Sequence, residues 1–150
     1  MFKISFNIEK EIIMPDEYNL GWLCIEHNDK KLNSIELSGR GLMMIFFSVT
    51  SLLECLIKLN SNINKPIRFV GEDSSFILYF KRNKKNEIKI IQNKKVWAKI
   101  NFQEFFNAIW SLSESLFHEY GKQFEEHNIA FKDWVETRKE VVSIFHIDSG

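Results

Sequence analysis

Short polar connections between strand-like segments restrict the fold of this chain more than any other feature of its sequence. Three apolar-rich segments, 75–81, 87–92 and 96–100, are separated by only five and three residues, most of them Lys or Asn. A parallel crossover needs about a dozen residues or more, whereas a hairpin needs only a few. The three segments are therefore predicted to form an antiparallel meander.

The first sixty residues contain further strand candidates and one helix. Apolar and polar residues alternate over 2–8, which predicts a half-buried strand. Segments 21–26 and 32–37 flank a polar turn and predict a β-hairpin. Apolar residues then recur every three or four positions over 42–59, which favours a largely buried helix, with a core strand over 43–49 as the alternative.

An Asn-x-x-Glu sequence opens a long helix in the last third of the chain. The Asn101 side chain is predicted to accept from the amide of Glu104, and the Glu104 side chain to reach back to the amide of Asn101. The helix is predicted over 102–125 with a break at Gly121, and a last helix over 131–145. The apolar stripe of the first of these helices comprises Phe102, Phe105, Phe106, Ile109, Leu112, Leu116, Tyr120 and Phe124.

The predicted element order is β-β-β-α-β-β-β-α-α. This order is typical of the α+β class, in which helices pack on one face of one or more antiparallel sheets. A chain of 150 residues fits one domain, and no repeat or linker-like segment divides it. A single α+β domain over 1–150 is therefore expected.

Several features favour a cytoplasmic protein that does not enter a membrane. The first residues alternate in polarity and lack the continuous apolar core of a signal peptide. The longest uncharged stretch, 41–53, is too short to span a bilayer. Cys24 and Cys55 have no Cys or His at metal-ligand spacing, so both are expected to be free, non-functional thiols in a reducing compartment.

Residues that could carry catalysis form no recognisable motif. The loop Ser38-Gly39-Arg40-Gly41 could offer backbone amides to an anion, but it lacks the Lys-Ser/Thr of a P-loop, and a plain turn is the favoured interpretation. Glu114 and His118 have the i, i+4 spacing of two metal ligands, yet no further ligand is indicated. No Ser or Cys lies in a recognised arrangement with a base. We therefore expect no enzymatic activity, no cofactor and no metal.

Charge is distributed unevenly, although the net charge is +0. Residues 1–100 hold 16 Lys and Arg against 11 Asp and Glu, a balance of +5, while residues 101–150 hold 4 against 9, a balance of −5. Seven basic residues lie within 81–95, and Tyr79 and Trp97 flank them, so strands 81–99 could bind nucleic acid. Lysines also keep edge strands soluble, and the neutral total charge makes nucleic acid the weaker alternative.

Acidic residues dominate the side of the 102–125 helix opposite its apolar stripe. A solvated helix face needs polar residues but does not need predominantly acidic ones. This side could therefore be a docking surface for a basic protein, whose charges would steer encounter and select the partner, with an ordinary solvated helix face as the alternative. The predicted partner-binding residues are Glu104, Glu114, His118, Glu125 and Glu126.

In its size, its α+β character and its richness in Asn, Lys and Ile, the chain resembles the small immunity proteins encoded beside bacterial polymorphic and contact-dependent-inhibition toxins. The resemblance implies a cytoplasmic protein that binds one cognate toxin, commonly a nuclease, and neutralises it by blocking its active site. It concerns the general make-up of the chain, so no family residue is carried over. A different class remains open, because the 21 aromatic residues could line a small-ligand pocket of ~300 Å³ or more between sheet and helices.

Overall fold

A computed structural model describes residues 1–37 and 41–148 of the chain. Its strands are β1 (Phe2–Ile8), β2 (Leu20–His27), β3 (Lys30–Asn33), β4 (Met43–Met44), β5 (Ile67–Val70), β6 (Ile77–Arg82), β7 (Glu87–Gln92) and β8 (Lys95–Asn101). Its helices are α1 (Ser34–Leu37), α2 (Ile45–Asn60), α3 (Phe102–Tyr120) and α4 (Ile129–Phe145), with one 3-10 turn at Gly121–Gln123.

The described strands form two antiparallel sheets of four strands each. In sheet A the central strand β2 pairs with β1 on one edge, and with β3 and β4 on the other. Sheet B is the meander β5-β6-β7-β8, with a bulge between Ile90 and Ile91. The α+β class is therefore confirmed, and so is the predicted antiparallel meander.

Helix α2 lies at the centre of the molecule, where 10 of its 16 residues are buried. It packs against β5, β6 and α4, whereas α3 packs against β1, β7, β8 and α2. Trp134 of α4 is fully buried, and its ring lies 5.5 Å from the ring of Phe46 on α2 and 5.2 Å from that of Phe117 on α3. Aromatic packing thus joins the three long helices in one core.

The shortest elements differ from the predictions. The strand predicted over 32–37 ends at Asn33 and continues as the single helical turn α1. Residues Met43–Met44 pair with β2, so α2 begins at Ile45, and strand β5 was not predicted at all. Elements of two to four residues are too short to show a sequence period, so pairing with a neighbouring strand decides their structure.

The C-terminal helices agree closely with the predictions. All eight residues of the predicted apolar stripe are buried. Helix α3 ends at Tyr120, and the 3-10 turn that starts at Gly121 confirms the predicted break. Helix α4 begins at Ile129, where the Asn128 side chain accepts a hydrogen bond from the amide of Phe131 at 3.0 Å.

Candidate protein-binding surfaces

The start of α3 confirms one half of the predicted capping arrangement and corrects the other. The Asn101 side chain accepts hydrogen bonds from the amides of Gln103 and Glu104, at 2.8 and 3.4 Å. The Glu104 carboxylate, however, accepts from the amide of Phe2 at 2.7 Å, and among the described contacts it makes none with the amide of Asn101. The Phe2 amide lies on the outer edge of β1, where none of the described strands pairs with it, and it donates to the Glu104 carboxylate instead. Glu104 therefore ties β1 to α3.

Glu114 is also engaged within the molecule. Its carboxylate forms an ion pair with Arg138 of α4. The Arg138 guanidinium donates to the Ser113 hydroxyl at 3.3 Å and lies 3.9 Å from the ring centre of Phe117. The same hydroxyl accepts from the indole of Trp134 at 3.0 Å. Glu114 thus belongs to a network that fastens α4 to α3.

His118, Glu125 and Glu126 are the remaining predicted partner-binding residues, and all three are exposed. His118 lies in the last turn of α3, and Glu125 and Glu126 precede the cap of α4. Glu104 and His118 are 14 positions apart on α3, or about 21 Å along the axis at about 1.5 Å per residue. The five predicted residues therefore do not form one cluster.

The structure instead brings together four carboxylates that lie far apart in the sequence. Partial burial is the largest cause that raises the pKa of Glu54 on α2, although the residue keeps an exposed surface. The carboxylates of Asp133, Glu72 and Glu140 raise this pKa further, and Lys58 lowers it. We call Glu54, Glu72, Asp133 and Glu140 the acidic ridge.

Sequence reasoning missed half of the acidic ridge. Asp133 and Glu140 belong to the acidic C-terminal third, but Glu54 and Glu72 lie in the first two thirds of the chain, which has a positive balance. Glu72 is held against α2 by hydrogen bonds with Ser48 and Ser51. Asp133 and Glu140, by contrast, reach Glu54 through the packing of α4 against α2. No sequence signal indicates that contact, because an amphipathic pattern does not specify which helix covers it.

Basic residues meet on the outer face of sheet B. The register places Lys81 opposite Lys89, and Lys89 opposite Lys99, so that three lysines cross three neighbouring strands in one row. Directly opposed like charges destabilise a sheet. Glu87 offsets part of this repulsion through an ion pair with Lys99 at 3.9 Å, and the exposed Tyr79 lies on the same face.

An open groove of about 820 Å³ runs along the surface where β1 and α3 meet. Its floor is apolar and includes Ile4, Phe6 and Leu116, while small and polar residues of α3, among them Ser111, form one wall. The groove exceeds the ~300 Å³ that a small-ligand site needs. Among the described residues that line it, Phe2 and Phe6 are the aromatic ones, and the rest are aliphatic or polar.

The two cysteines are free thiols, as expected. Burial raises the pKa of Cys55 to about 12. Burial also raises the pKa of Cys24, although a hydrogen bond from the Asn7 side chain opposes the shift. Both thiols are therefore less acidic than an ordinary cysteine, and neither has the lowered pKa of a reactive thiolate.

The described residues contain neither a metal-binding cluster nor a membrane-spanning helix. No group of three or more His, Cys, Asp or Glu side chains in the described part of the chain could hold a metal ion, including around Glu114 and His118. None of the helices in that part is long and apolar enough to cross a membrane. The predicted anion-binding loop falls largely on residues 38–40, which lie outside the described ranges.

Comparison of the chain with models of protein families, with curated proteins and with solved structures finds no match. The fold and its surfaces define an α+β protein with two antiparallel sheets, an acidic ridge across α2, α4 and the β5–β6 connection, and a basic face on sheet B.

Proposed function

We propose that this chain is a cytoplasmic, non-catalytic protein-binding module, and specifically an immunity protein that neutralises a cognate bacterial toxin by covering its active site. The observation that carries the proposal is the acidic ridge. Burial is the main cause that raises the pKa of Glu54, and the carboxylates of Asp133, Glu72 and Glu140 add to it because each repels the ionised Glu54. A cationic partner surface would relieve that repulsion.

A nuclease toxin would fit this surface, because an enzyme that acts on nucleic acid presents a basic active site to the phosphate backbone. The acidic ridge and the exposed pair Glu125 and Glu126 would attract such a surface and raise the association rate. The basic face of sheet B carries the opposite charge, so the attraction would also orient the approaching partner.

The test combines binding and stability in the same variants. The purified protein is mixed with the product of the adjacent gene, and the affinity is measured for the wild type, for Asp133→Lys/Glu140→Lys and for Asp29→Lys. Asp29 is an exposed acid in the β2–β3 turn and serves as the matched control. The double reversal is expected to weaken the complex and flatten its salt dependence, whereas the control should change neither.

The stability of the same variants separates binding from folding. Exposed charges contribute little to stability, so the double reversal should unfold at close to the wild-type denaturant concentration. If no complex forms with any neighbouring gene product, the immunity proposal fails. If both variants bind the partner with wild-type affinity, the partner contacts a surface other than the acidic ridge.

Nucleic-acid binding is a second candidate function, which the row Lys81, Lys89 and Lys99 favours. An exposed strand face with a lysine row and Tyr79 could hold a single strand by phosphate contacts and base stacking. Affinity for oligo-dT would then fall with salt, and replacing the three lysines by Gln would lower the logarithmic salt slope by about 2, at about 0.7 per phosphate contact. Absence of salt-dependent binding to oligo-dT and oligo-U would exclude this candidate.

A further inference from the structure

The outer edge of β1 carries backbone groups that point away from its partner strand. The amide of Asn28 donates to the carbonyl of Met1 at 3.3 Å, and the amide of Glu9 donates to the carbonyl of Leu20 at 3.0 Å. Hydrogen-bonded and non-hydrogen-bonded pairs alternate along an antiparallel ladder. The backbone groups at odd positions of β1 therefore bond to β2, and those at even positions point away from β2. The outward groups belong to Phe2, Ile4, Phe6 and Ile8.

Glu104 already occupies the first of these positions. Its carboxylate accepts from the outward amide of Phe2, as a neighbouring strand would. The outward amides of Ile4, Phe6 and Ile8 have no such partner among the described contacts. Glu104 therefore closes one end of the edge and leaves the other end open.

The open part of this edge lies along the groove between β1 and α3. The α3 wall opposite it is built from small or short polar residues, among them Ala108, Ser111 and Ser115. Short side chains keep a helix from filling the space beside a strand. The apolar floor, with Leu112 and Leu116, can receive alternate side chains of an added strand.

Acidic charge lies at the open end of the groove. Glu119 of α3 lines it, and Glu9 and Glu11, with Lys10 between them, follow β1 in the sequence. Burial is the main cause that raises the pKa of Tyr120, the residue after Glu119, and the carboxylates of Glu119 and Glu11 raise it further. The charge at the open end is therefore suited to a basic side chain.

We propose that the groove binds an extended segment of a partner protein, which adds as a strand to the edge of β1 and places a Lys or Arg beside Glu119. The outward amides of Ile4, Phe6 and Ile8 and their carbonyls supply the backbone bonds, and the apolar floor selects the side chains. This site is separate from the acidic ridge, and it does not require that the partner be a toxin.

The experiment uses a phage-displayed library of random dodecapeptides as the probe. Selected peptides should carry alternating apolar residues with a basic residue towards one end, and synthetic copies should bind the protein in solution. Amide exchange measured by NMR should slow at Ile4, Phe6 and Ile8 by about tenfold when the peptide is held at about ten times its Kd. The amides of the basic strands β6 to β8 should keep their exchange rates.

Two pairs of matched variants locate the site. Ser111→Trp fills the groove and should weaken peptide binding by about tenfold or more, a loss of about 1.4 kcal/mol. Ser143→Trp adds the same side chain to an exposed position of α4 that does not line the groove, and should bind like the wild type. Glu119→Lys should weaken binding, whereas Glu136→Lys on α4 should not. Thermal melts confirm that each variant is folded.

Several results would overturn the proposal. These are a library that yields no binding peptide, or peptides that bind a folded Ser111→Trp variant with wild-type affinity. Exchange rates at Ile4, Phe6 and Ile8 that stay unchanged in the complex would also do so. A protein that light scattering finds to be a dimer, and that Ser111→Trp converts to a monomer, would assign the groove to a second copy of the chain. Binding of a toxin to the acidic ridge is measured in a separate experiment. A failure of the groove proposal therefore does not decide whether the acidic ridge binds a toxin.

Discussion

Replacement of Glu104 by Ala tests the tie between the first strand and the third helix. The carboxylate accepts from the Phe2 amide at 2.7 Å, in a partly buried contact between residues 102 positions apart. A hydrogen bond to a charged group contributes about 1.5–3 kcal/mol, and an acid in the first turn of a helix adds about 0.3–1 kcal/mol. Water in the open groove can replace part of the lost bond, so we expect a loss of about 2 kcal/mol.

Glu104→Gln separates the charge from the hydrogen bond. The amide oxygen of Gln can still accept from Phe2, but without charge assistance, so a loss of about 1 kcal/mol is expected. For a chain of this size a loss of about 2 kcal/mol lowers Tm by roughly 4–8 °C.

Urea unfolding followed by tryptophan fluorescence gives the free energies directly. Gln103→Ala is the matched control, because Gln103 is exposed in the same helical turn and, among the described residues, its side chain bonds to Asn107. It should cost less than about 0.5 kcal/mol. If Glu104→Ala is as stable as Gln103→Ala, the proposed tie contributes nothing and the reasoning is wrong.

Four further predictions concern stability and thiol chemistry. Asn101→Ala should cost about 1 kcal/mol through the lost cap, and an unchanged urea midpoint would contradict this. Arg138→Lys should cost about 1–2 kcal/mol, since Lys cannot keep both the Ser113 bond and the stacking on Phe117, while Glu114→Gln should cost less than about 1 kcal/mol. Because the pKa of Glu54 is raised in the fold, mainly by burial, its ionised form opposes folding. Glu54→Gln should therefore match the wild type in acid and exceed its stability as pH rises through the raised pKa, and equal stability at pH 7 would show that ionised Glu54 does not oppose folding. At pH 8 the pKa of about 12 leaves Cys55 with about a thousandth of the thiolate of an ordinary cysteine, so mass spectrometry should find its alkylation that much slower in the folded than in the urea-unfolded protein.

The sequence was sufficient to predict those helices and strands whose apolar residues recur at a regular spacing over many positions. The stripe of α3 and the alternation in β1 each span at least seven residues, and both were predicted correctly. The turns also follow from residue chemistry, because four of the seven described non-glycine residues with positive φ are Asn28, Asn64, Asn86 and Asn93. Asn tolerates this conformation better than most residues.

The sequence could not predict contacts that depend on tertiary packing. Glu104 was expected to complete its own cap, but its partner is a strand amide from the other end of the chain. Nothing in the sequence indicated that Glu114 forms an ion pair with Arg138 of α4, which lies 24 positions further along the chain. The acidic ridge likewise forms because α4 packs on α2, and the sequence of neither helix specifies that the other will be its packing partner.

The association rate with the product of the adjacent gene tests the central claim most directly. Stopped-flow mixing at low and high salt measures this rate for the wild type and for Asp133→Lys/Glu140→Lys. If the acidic ridge receives a basic partner, the wild-type rate should fall steeply with added salt, and the double reversal should associate more slowly and with a weaker salt dependence. A wild-type rate that does not change with salt, or one that the double reversal leaves unaltered, would contradict the claim that the acidic ridge binds the partner.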